Sequence, residues 1–155
     1  MVTSAILSMA MLAASLPGNY DCTIDRQVVI TEAGVQPGDA VSFPESERDA
    51  WRFSLRVPRG DAPTVVVDWA ANPIQIAGSH QTLPVAPGQV FFVALSPGPC
   101  MFTEQNCATM VELSARDDGS AAFSILPTGS SRSESGVRSL FHVVFIGSCR
   151  RREGR

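Results

Sequence analysis

Trp51, Phe53, Leu55 and Val57 alternate with Arg52, Ser54, Arg56 and Pro58 in strict period two. A period of two sends successive side chains to opposite faces of an extended chain, so this run predicts a half-buried strand. Further strands are predicted at Arg26 to Glu32, Thr64 to Trp69, around Ile74 and Ile76, and at Val90 to Leu95, Thr109 to Ala115, Ala121 to Leu126 and Leu140 to Ile146. Asp117, Asp118 and Gly119 predict a tight hairpin, because these residues tolerate the turn conformations that join antiparallel strands. Prolines and glycines recur at nearly every boundary, and no segment sustains a helical period, although Pro44 to Ala50 has room for one turn of helix. The expectation is an all-β protein of about eight antiparallel strands, an up-and-down barrel or a two-sheet sandwich, with disulfides.

Not every strand alternates. Val65 to Val67, Val90 to Leu95 and Leu140 to Ile146 are apolar on both faces. Such strands need cover on both sides, from a second sheet, a helix or another chain. Cover by the protein's own core is the simpler expectation; a homodimer or a partner surface is the sharper one.

Ala5 to Ser15 is an uncharged apolar stretch ending in small residues, which reads as a signal peptide over residues 1–15 cleaved after Ala14 or Ser15. No Lys or Arg precedes it, a departure from the usual charged start. The stretch is shorter than the roughly 20 residues of a membrane span. Residues 16–155 then form a single β-rich domain, with Arg150 to Arg155 as a short basic tail, and the expected location is periplasmic or secreted. Asn19, Tyr20 and Asp21 before Cys22 do not suit lipid attachment at that cysteine.

Cys22, Cys100, Cys107 and Cys149 form an even set behind the cleavage point, as a disulfide-bonded exported domain requires. Cys100 and Cys107 bracket a short loop between two strand-like segments, whereas Cys22 and Cys149 lie at the two ends of the domain. The predicted links are therefore Cys100 to Cys107 and Cys22 to Cys149, contributing about 2.5 and about 5 kcal/mol by loop entropy before strain. The spacing is not that of a zinc site.

Charged residues make up 17% of the chain and its formal net charge is -3, which gives no footprint for a nucleic-acid backbone. All twelve basic residues are arginines, so lysine Schiff-base chemistry and Walker-type phosphate binding are excluded. Trp51, Trp69 and His80 are the candidate binding residues, and His142, inside an apolar strand, reads as a core histidine. Ser79 or Ser96 with His80 and Asp68 would supply the residue types of a hydrolase, but no G-x-S-x-G elbow supports them. Glu45, Glu47 and Asp49 interleave with Arg48 as a solvated loop, and Gly129 to Gly136 has the composition of a flexible connector. No catalytic residue, metal ligand or cofactor is assigned. Arg150, Arg151 and Arg152 read as solvated, with contact to an anionic membrane as the lesser alternative.

The leading expectation is a small exported, non-enzymatic β-domain that binds a partner protein or an apolar small molecule. The architecture is similar at fold level to secreted lipocalin-like inhibitors, which makes protease inhibition the second expectation, and a hydrolase using His80 the third.

Overall fold

The structure is a computed structural model. It describes residues 15–31, 34–42, 49–71, 76–96, 107–128, 130–132 and 138–153. Every regular element among them is a strand: β1 (Gly18–Thr31), β2 (Gly34–Ser42), β3 (Arg52–Val57), β4 (Thr64–Asp68), β5 (Gly78–Ala86), β6 (Gln89–Ser96), β7 (Cys107–Ala115), β8 (Ala121–Thr128), β9 (Ser130–Arg132) and β10 (Arg138–Arg151). Eight of these, in the order β1, β3, β4, β5, β6, β7, β8 and β10, are antiparallel neighbours, and β1 pairs with β10 to close the barrel. The barrel alternative expected from the sequence is thus the one adopted.

The seam joins the first strand to the last. β1 and β10 are paired from Tyr20 and Arg151 at one end to Thr31 and Phe141 at the other. Only the first half of β1 pairs with β3, and the second half pairs with β2. Likewise β10 holds β8 along its final residues and β9 along its first. A register shift between Ile24 and Arg26 marks the change, just after Ile24 extends the β3 ladder by one residue by donating its N–H to the Trp51 carbonyl.

Within the barrel the alternation resolves cleanly. Phe53, Leu55 and Val57 on β3, Val65 and Val67 on β4, Val90, Phe92 and Ala94 on β6, and Val111 and Leu113 on β7 are buried. Phe123 and Ile125 on β8 and Val143 and Phe145 on β10 join them. Eight strands enclose a space that side chains can fill, and the inward side chains named here are all buried in it. One end holds Trp51, Trp69, Phe53 and Phe145: β3 starts beside Trp51 and β4 ends beside Trp69, so the two indoles meet with centroids 6.4 Å apart. Trp51 stacks on Phe145 at 5.3 Å and Trp69 on Phe53 at 5.1 Å. At the other end Leu16 and Tyr20 are buried, and the Tyr20 hydroxyl donates to the Leu16 carbonyl at 2.7 Å.

The Cys22 and Cys149 sulfurs stand at disulfide-bonding distance, on directly paired positions of the seam. Cys100 lies outside the described residues, as does the Cys107 side chain, so the second predicted link does too. The same holds for residues 1–14 of the predicted signal peptide, for residues 43–48 of the predicted helical turn, and for most of the connector at 129–136, within which Ser130–Arg132 form β9.

Three expectations are corrected. Of the strand expected around Ile74 and Ile76, Ile74 lies outside the described residues and Ile76 precedes the strand, while β5 occupies Gly78–Ala86, a segment without hydrophobic alternation. Arg150 and Arg151 are not tail but the end of β10, and Arg152 is ion-paired to Asp21. The strands that are apolar on both faces gain no second layer among the described residues: the barrel is single, and their outward side chains remain on its surface. The hairpin at Asp117 to Gly119 forms as the sequence indicates, with Gly119 at φ 79° and its N–H bonded to the Arg116 carbonyl.

Candidate functional site

The three residues expected to bind are parts of the packing. Trp69 is buried and donates its indole N–H to the Ala50 carbonyl at 2.9 Å. Trp51 is half-buried in the same aromatic cluster. His80 is half-buried on β5, stacked on Phe92 with centroids 4.9 Å apart, and its Nε2 is 2.7 Å from the Ile76 carbonyl. A carbonyl only accepts, so Nε2 carries the proton. The structure brings the two tryptophans together and places His80 apart from them.

The outer surface carries a polar groove on one side and most of its exposed large apolar residues on the other, with Ile146 on β10 the exception among the described residues. Around β1, β3 and β10 a groove of about 720 Å³ is lined by Asp21, Asp25, Arg52, Asp68, Ser148 and Arg150. Three of its charged residues are held by neighbours. Arg152 Nε donates to both Asp21 carboxylate oxygens at 2.8 and 2.9 Å, and its Nη2 bonds Asp21 and Ser54. The Arg152 hydrogen bond holds the Asp21 carboxyl below the usual carboxylate range, against a smaller opposing effect of burial. Asp25 accepts from Ser148 Oγ at 3.0 Å, and Arg52 pairs with Asp49 at 2.8 Å. Among the described residues no three His, Cys, Asp or Glu side chains gather as metal ligands.

Across the barrel, β5 to β8 present an apolar face. Leu83, Val85 and Leu95 are 55%, 57% and 76% exposed, and Val93 and Met110 are 38% and 40% exposed. Strand register makes them neighbours. Leu83 pairs with Phe91, Val93 with Met110, and Met110 with Leu126. A groove of about 400 Å³ runs over this face, lined by Val85, Phe91, Met110, Glu112, Ser124 and Leu126. Half of this site is signalled by the run Val90 to Leu95, which is apolar on both faces. Met110 and Leu126 carried no such signal, because each alone looks like an ordinary residue of its strand.

No family model matches the chain, and no curated protein matches it. Fold and surface together define a class: a small closed β-barrel with buried inward side chains, a disulfide-bonded seam and an apolar outer face. The cysteine pair is compatible with an oxidising compartment, and among the described residues no helix is long and apolar enough to cross a membrane.

Proposed function

We propose that the protein is an exported, non-enzymatic binding module that engages a partner protein through the outer face of β5 to β8. The observation that carries this reading is a contiguous apolar face left in water while the inward side chains of the barrel are buried. Exposed apolar patches cost solubility, and on soluble domains they coincide with interaction sites. Removing each such side chain from water contributes roughly 1 kcal/mol or more, enough for a handful to support specific binding. The buried inward side chains argue against a calyx of the lipocalin kind, and His80, engaged with Ile76 and Phe92, argues against a hydrolase built on it. Export rests on the apolar segment before Leu16 and on the cysteine pair.

The test is site-specific photo-crosslinking in the producing cell. A photoreactive residue at Val93 is expected to give a discrete protein adduct, and one at Arg56, on the polar outer side of β3, is expected to give none. Equal adducts at both positions, or none at Val93, would contradict the proposal.

A further inference from the structure

β6, β7 and β8 form the centre of the apolar face, and among all their residues Glu112 is the only one with a charge. It is exposed, its paired positions on the flanking strands are Phe91 and Ser124, and no ion pair reaches it among the described residues. On the opposite half Asp21 is held by Arg152 and Asp49 by Arg52, while Asp25 and Asp68, also without an ion pair among the described residues, line a polar groove and not an apolar one. Glu112 also lines the 400 Å³ groove together with Val85, Phe91, Met110 and Leu126.

A carboxylate at the edge of an apolar groove discriminates among occupants by charge. An occupant that covers the groove and brings a cation gains a pairing across the interface. A neutral one leaves the carboxylate partly desolvated without compensation, and an anionic one adds repulsion. We infer that the partner's contact segment is apolar and carries an arginine or lysine, which is seated at Glu112 while its apolar side chains occupy the groove beside Met110 and Leu126. This inference rests on the partner-binding reading above.

The probes are three short synthetic peptides of alternating Leu and Phe that differ only in one central residue, Arg, Gln or Glu. Their affinity for the intact mature protein is read by fluorescence anisotropy. The Arg peptide is expected to bind about fivefold more tightly than the Gln peptide, the worth of one partly exposed ion pair, and the Glu peptide most weakly. Glu112→Gln is expected to erase the difference between the Arg and Gln peptides, whereas Met110→Gln with Leu126→Gln is expected to weaken all three. Equal binding of the three peptides by the unaltered protein would overturn the cation at Glu112 and leave the apolar docking face standing. Failure of all three to bind would overturn both. Glu112→Gln that aggregates while the peptide preference persists would show that the carboxylate only keeps the face soluble, and this too would overturn the inference. Light scattering supplies the remaining outcome: a homodimer that dissociates on Met110→Gln would make a second copy the occupant.

Discussion

Gly147 faces Phe123 across the β10 and β8 pairing, and the Phe123 ring fills the space that a β-carbon at position 147 would need. Such a β-carbon would also meet the Thr23 carbonyl of β1. The glycine therefore serves close approach between three strands at the register shift in β1. Gly147→Ala is expected to cost about 3 kcal/mol in urea unfolding, as overpacking of a tight core does. Adding Phe123→Ala to it should recover only part, because the clash with backbone remains. A Gly147→Ala protein as stable as the parent would refute this view of the seam.

Cys22 and Cys149 lie on the same seam and are essentially inaccessible to solvent. A reductant can then reach the bond only through opening of the barrel. Native protein is expected to resist dithiothreitol and to be reduced rapidly in urea, as counted by thiol alkylation. Cys22→Ala with Cys149→Ala removes a link that spans 127 positions, and the expected loss is about 3 to 5 kcal/mol.

Tyr20 is the only tyrosine, so phenolate absorbance reports on it alone. Burial pushes its ionisation above the ordinary 10.0, with Arg151 opposing in part. The folded state therefore keeps the phenol proton to higher pH than the unfolded chain does. The stability tied to this group is fully present below pH 10.0 and is lost as pH rises from there through the folded value. The absorbance midpoint is expected above 10.0 in native protein and at 10.0 in denaturant. Tyr20→Phe should abolish this alkaline loss, and by removing the bond to the Leu16 carbonyl it should cost about 1 kcal/mol at neutral pH.

Asp21 gives the opposite sign. Its folded ionisation lies below the ordinary 3.8 because Arg152 hydrogen-bonds the carboxylate. The contribution is present above that value and disappears as pH falls through the depressed one. Both partners are exposed, so the effect is small and weakens with salt. Thermal melting between neutral and strongly acidic pH should show a shallower decline for Asp21→Asn than for the parent, and an identical decline would count against the pair.

The strands most legible in the sequence are those whose inward residues are hydrophobic. β3 follows strict alternation because Phe53, Leu55 and Val57 all enter the core. β5 escapes such a reading because its inward residues include His80 and Thr82, whose polar atoms are satisfied by the Ile76 and Pro63 carbonyls at 2.7 and 2.6 Å. Burial there is bought by hydrogen bonds that no hydropathy pattern displays. The first half of β1 does alternate, Tyr20, Cys22 and Ile24 inward, but Asn19, Asp21 and Asp25 are poor strand formers and mask it. β2 contains Gly34, Pro37 and Gly38, and as the outermost strand of the sheet it tolerates them. The apolar face is assembled from separate strands, so its continuity appears only once the register sets Val93 beside Met110 and Met110 beside Leu126.

The most direct measurement of the barrel with an apolar outer face is titration of the native protein with an apolar fluorescent dye, repeated on Val93→Gln with Met110→Gln. Both substitutions lie on the outer surface, so the melting temperature should stay close to that of the parent. The parent is expected to bind the dye, and the double variant, equally folded, to lose most of that binding. Dye binding that survives both substitutions and is lost instead on filling or altering the barrel interior would contradict this expectation.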